Sequence, residues 1–147
     1  MSRLTPLRAR LAAWAPALAV MVLIFVASAQ PKHVPSPGPS QVYFSGIMPI
    51  FAGGWDTLVK KSAHVVVYGV LAVLIFRALL THGLSSREAA PLAIVLTVAY
   101  ALTDELHQAF VTGRHSSVVD IGFDYTGATV FCLLARRILR SSARLAK

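Results

Sequence analysis

Charge is scarce in this chain, and acidic charge scarcest: 14% of its 147 residues are charged and only six are Asp or Glu. A soluble domain carries roughly a quarter charged residues. At 56% hydrophobic, the composition argues against a water-facing fold. Cysteine is nearly absent. The single Cys132 excludes an intramolecular disulfide framework, and its place inside an apolar run reads as a packing residue. Neither an internal repeat nor a low-complexity tract occurs, and no compact His/Cys spacing marks a metal site. The formal net charge of +8 does not read as nucleic-acid binding. Its basic residues flank apolar stretches and do not interleave with aromatics on one surface. The length suits a single domain.

What is present is a set of four apolar stretches, near 11–29, 62–80, 89–110 and 118–135. A bilayer-spanning helix needs about 20 mostly apolar residues. The pattern predicts an all-α polytopic membrane bundle of four transmembrane helices. Leu11 to Ala29 carries no charge, and Pro16 falls in its first turns, where proline is tolerated. The second stretch holds His64 and, near its end, Arg77; the third runs into Asp104 and Glu105; the fourth starts with Asp120 and Asp124.

Between the first two stretches lies Gln30 to Lys60, with prolines at 31, 35, 37, 39 and 49. Its first half cannot be regular helix, because each proline removes a donor and restricts its predecessor. Its second half, Val42 to Trp55, is apolar and aromatic but too short to span, and Gly53-Gly54 closes it. An interfacial or re-entrant segment is expected there. The other connections, 81–88 and 112–117, are short, as between antiparallel neighbours. Arg3, Arg8 and Arg10, the first apolar stretch and Ala27-Ser28-Ala29 also resemble a cleavable signal peptide. That stretch exceeds the usual core of about 7–15 residues, so a retained span is expected.

With four spans, one side holds Arg3, Arg8, Arg10, Arg77, Arg87, Arg136, Arg137, Arg140, Arg144 and Lys147, ten in all. The other holds Lys32, Lys60, Lys61 and Arg114, four in all. The positive-inside rule then predicts a multi-pass protein of the inner (plasma) membrane with both termini cytoplasmic. The basic C-terminal tail reads as the topological anchor, with contact to anionic lipid as a further use.

Four of the six acidic residues, Asp104, Glu105, Asp120 and Asp124, then fall at the outer level of the membrane, beside Lys61 and His64. Spacings of three and four stack Lys61, His64 and Tyr68 on one helix face. The same rule groups Asp104, His107 and Gln108, with Glu105 about 100° round. It also aligns Asp120, Asp124 and Gly127, the glycine offering a close helix–helix approach. Ser116 and Ser117 suit caps for the fourth helix, and Asp120 suits its first turn. Ionisable groups at this depth cost a few kcal/mol unless they face the bundle interior and find partners. A cluster pairing Lys61 or Arg114 with Asp104 or Asp120 could simply glue helices. Such bonds contribute only about 0.6 kcal/mol each on average, which favours a site.

At Asp104-Glu105-Leu106-His107-Gln108-Ala109-Phe110, followed by Arg114, Asp120 and Gly127, the sequence resembles the VanZ-like family of small membrane proteins. Lys61-x-x-His64-x-x-x-Tyr68 is similar to that family's other polar motif, and Ala27-Ser28-Ala29-Gln30-Pro31 to a stretch closing its first span. Asp124 departs from the pattern, standing where the family usually shows Asn. The resemblance implies a cell-envelope protein of a family associated with resistance to the glycopeptide antibiotic teicoplanin. Resistance is a phenotype, and one family can host several activities.

Three functions fit these residues. One is an envelope enzyme acting at the outer leaflet on a lipid-linked or cell-wall substrate. Asp104 or Glu105 with His107 would supply acid/base chemistry, with His64 as a second candidate. Lys61 and Arg114 would bind a phosphate or carboxylate. Tyr68, Gln108, Asp120 and Asp124 complete the expected substrate site. No cofactor is implied; a divalent metal held by Asp104, His107, Asp120 and Asp124 is a variant of this reading. The second function is non-catalytic binding of a lipid, a glycopeptide or a partner at the same cluster. The third, a small transporter, is disfavoured by four short spans without a repeat.

Overall fold

A computed structural model describes residues 7–31, 54–114 and 116–145. Among them, all regular structure is helical: α1 Leu7–Ala12, α2 Ala15–Ser28, α3 Gly54–Thr81, α4 Ser86–Gln108 and α5 Val118–Leu145. Four stretches are long and apolar enough to cross a membrane: Leu7–Ser28, Leu58–Thr81, Ser86–Gln108 and Val118–Ser142. The protein is an all-α, multi-pass membrane bundle. Residues 32–53, which hold most of the segment expected to be interfacial, lie outside the described residues, whereas Gly54 to Lys60, expected as the end of the loop, already belong to α3.

The first span is two helices rather than one. Pro16 has no N–H and its ring crowds the carbonyl four residues back, which belongs to Ala12, where α1 ends. The helix restarts when the Leu18 amide reaches the Trp14 carbonyl at 2.9 Å. The indole N–H of Trp14 donates to His82 Nε2 at 3.0 Å, pinning this break to the turn after α3. That turn contains Gly83 at φ +88°. It closes on Ser85, whose backbone N–H (2.9 Å) and hydroxyl (2.7 Å) both donate to the Glu88 carboxylate.

The bundle inverts the packing of a soluble protein. Its buried positions are mostly small: Ala72, Ala78, Ala89, Ala90, Ala93, Ala101, Ala128 and Cys132. Many of its large side chains, such as Leu23, Val66, Val95, Leu102 and Leu133, face outward, while Leu71, Ile75 and Phe76 of α3 are buried. Lipid solvates those side chains as well as a core would, so helices associate through close backbone approach instead. Gly127 marks the closest approach. A Cβ there would lie 2.1 Å from the Val65 carbonyl oxygen, so only glycine lets α5 press onto α3 at this level. Helix α3 packs against both α4 and α5. Helix α2 is peripheral, burying only Ala17 and Ser28. The antiparallel order brings the end of α2, the start of α3, the end of α4 and the start of α5 to one end of the bundle, here the carboxylate end.

Candidate functional site

At the carboxylate end, one face of α3 meets three aspartates in sequence. Lys61 Nζ donates to Asp120 Oδ1. One turn deeper, His64 Nδ1 lies 2.9 Å from Asp124 Oδ1. One turn deeper again, the Tyr68 hydroxyl donates to Asp104 Oδ2 at 3.0 Å. The close approach at Gly127 brings α5 near enough for the first two contacts. Asp124 is completely buried, and its second oxygen has no hydrogen-bond partner.

Asp104 is the junction of three helices. Besides Tyr68 it accepts from the Ser28 hydroxyl of α2 at 2.6 Å and from Gln108 Nε2 at 2.8 Å. All three donors are neutral. Arg114 shows the converse arrangement, a cation held by neutral acceptors. Its guanidinium donates to the carbonyls of Ala27 at 2.5 Å and Gln30 at 3.2 Å, and to Gln108 Oε1 at 3.5 Å. Gln108 therefore bridges Asp104 and Arg114, its amide oriented by the two opposite charges. Glu105 has a structural engagement: it accepts the Ser117 backbone N–H at 2.7 Å and so ties the start of α5 to the end of α4. Ser117 opens that helix through its carbonyl, which takes the Asp120 amide at 2.9 Å.

One expected grouping is not formed. The spacing places His107 near the face of Asp104, beside the α4 carboxylates, yet its ring stacks on Phe25 of α2 at 4.3 Å between centroids. Its Nδ1 is buried without a hydrogen-bond partner. Among the described residues, no three His, Cys, Asp or Glu side chains converge where a metal could sit. The set of Asp104, His107, Asp120 and Asp124 is thus spread over separate contacts. The histidine that does meet a carboxylate is His64.

The peripheral position of α2 leaves a cavity of about 430 Å³ between α2 and α3. Its walls are apolar, with Val20, Leu23 and Ile24 from α2 facing Val66, Val67 and Val70 from α3. Its far end is polar, with Ser28, His64, Tyr68, Asp104, Gln108 and Arg114. Lys61, Glu105, His107, Asp120 and Asp124 do not line it; Asp124 stands behind His64. Sequence reasoning missed Ser28 and the carbonyls of Ala27 and Gln30. The available signal was a hydroxyl at the end of an otherwise apolar first span, level with the other polar groups.

The family model described as VanZ/LLP1 matches residues 13–140. No curated protein and no solved structure matches the chain.

Proposed function

The chain belongs to the VanZ/LLP1 family, and from that premise we propose that it admits a lipid-linked cell-wall intermediate into the α2–α3 cavity and acts on its headgroup. The cavity carries this reading. It offers an apolar channel for a hydrocarbon chain that ends at one histidine, one tyrosine, one carboxylate, one amide and one guanidinium. The excess of basic residues at the opposite end of the bundle supports cytoplasmic termini, and so a polar end at the outer leaflet of the plasma membrane.

In this reading His64 replaces His107 as the proton acceptor. With Asp124 Oδ1 accepting its Nδ1–H, the imidazole keeps Nε2 as a base on the cavity side. It removes a proton from water as that oxygen attacks a headgroup phosphorus; the P–O bond to the departing group breaks, and the imidazolium returns the proton to the leaving oxygen. Arg114 faces the negative charge gathering there, and Asp104 with Tyr68 and Gln108 holds the surrounding groups in place. One observation favours the alternative, a site that binds without turnover: both oxygens of Asp104 are already occupied, by Ser28, Tyr68 and Gln108.

Lipid-linked cell-wall intermediates compared between membranes with and without the protein test the proposal. Wild type should change the pool and His64→Gln should not. A pool changed equally by both assigns the binding role instead. A pool unchanged by wild type removes the lipid-linked substrate altogether. Teicoplanin susceptibility of the same strains tests the link to glycopeptide resistance.

A further inference from the structure

The other end of the bundle holds a second polar cluster of opposite character. Arg136, Arg140 and Arg144 are spaced by four on α5 and share a face. The thiol of Cys132 reaches the Ala90 carbonyl at 3.6 Å across the antiparallel α4–α5 contact. One turn further along α5, Arg136 therefore comes level with Ser86 and Arg87 at the start of α4. Arg140 accordingly lies within electrostatic reach of Arg136, Arg87 and Arg144. Among the described residues, the carboxylate at this end is Glu88, and it is engaged by Ser85. Among the described residues, none of these four arginines has an ion-pair partner. Arg136 Nε is buried with no hydrogen-bond acceptor.

We propose that Arg87, Arg136, Arg140 and Arg144 form a binding site for the phosphate headgroup of an anionic phospholipid in the leaflet at this end. The positive-inside bias accounts for arginines at this end of the spans, but not for their convergence on one α4–α5 seam, where they repel one another. A phosphate offsets that repulsion and supplies several acceptor oxygens suited to the planar guanidinium fork. Exposed Leu92 and Leu133 lie a turn or so nearer the middle of the bilayer, where they meet acyl chains. A free phosphate ion would use the arginines but gain nothing from those leucines.

The test uses the full chain, purified in detergent and exposed to an equimolar mixture of phosphatidylglycerol and phosphatidylcholine, with retained lipid read by native mass spectrometry. Wild type should retain phosphatidylglycerol preferentially, by about fivefold for each arginine engaged. Arg140→Gln, at an exposed position, should reduce the preference by about that factor. Arg136→Gln with Arg140→Gln should reduce it by about 25-fold. Arg137→Gln, outside the cluster, should leave it unchanged. The proposal is overturned if wild type shows no preference, if Arg137→Gln reduces it as much as Arg140→Gln, or if excess inorganic phosphate displaces the lipid.

Discussion

The two ends of the bundle handle charge in opposite ways. At the carboxylate end, Lys61, His64 and Tyr68 each meet an aspartate across a helix boundary, and Arg114 is held by carbonyls and an amide. At the arginine end, like charges gather with no carboxylate answering them among the described residues. Paired polar groups deep in a membrane protein hold helices in register and shape a cavity. Unanswered charges at its rim instead address what lies outside the protein. Stability should therefore depend on the first end and be nearly indifferent to the second.

The harshest way to break that contrast is at Gly127. Gly127→Val forces a side chain into the Val65 carbonyl, a backbone atom with no freedom to yield. We expect a loss on the order of 3 kcal/mol. In detergent, thermal unfolding should lose its cooperative transition, whereas Gly122→Ala on the same helix, with open space around it, should unfold as wild type does. Next comes Asp104→Ala, which strands the Ser28, Tyr68 and Gln108 donors in a buried site. Its cost should be about 2–4 kcal/mol in chemical denaturation, and Asp104→Asn, which keeps an acceptor, should cost less.

Lys61→Met should matter less still. The Lys61 and Asp120 side chains are part-buried, at 19% and 22% exposure, so water reaches this pair more than it reaches the buried Asp104. A change below about 1 kcal/mol is expected. Smallest of all is Arg140→Gln measured without anionic lipid. Relief of repulsion should raise the melting temperature slightly, so a clear fall would place this arginine among the structural groups and erase the difference between the ends.

Much of this arrangement was legible in the residues. Spans of about the right length set the number of membrane crossings, and the spacing of Lys61, His64 and Tyr68 put them on one face. An aspartate partner for Lys61 was legible, but which aspartates Lys61 and His64 meet depends on how deeply α5 sinks against α3, and Tyr68 meets Asp104 on α4. That depth is set by a missing side chain at Gly127. His107 illustrates the limit of the spacing rule. Three residues advance a helix by about 300°, so His107 lies some 60° from Asp104 on the side opposite Gln108. On a helix with neighbours on two sides, that angle is enough to turn the ring toward Phe25 and away from the carboxylates. Pro16 falls in the first turn of α2, as its place in the sequence predicts, and α1 ends at Ala12 because that carbonyl occupies the space the proline ring needs.

The loose seating of α2 has a consequence for how any occupant would arrive. Leu23, Val66, Val67 and Val70 line the cavity and are also exposed on the outer surface, so the opening gives onto hydrocarbon rather than onto water. A molecule entering there would search in two dimensions, and its occupancy would follow its mole fraction in the leaflet, not its concentration in the medium. Diluting the membrane with inert lipid should therefore empty the cavity, while diluting the suspension with buffer should leave it filled.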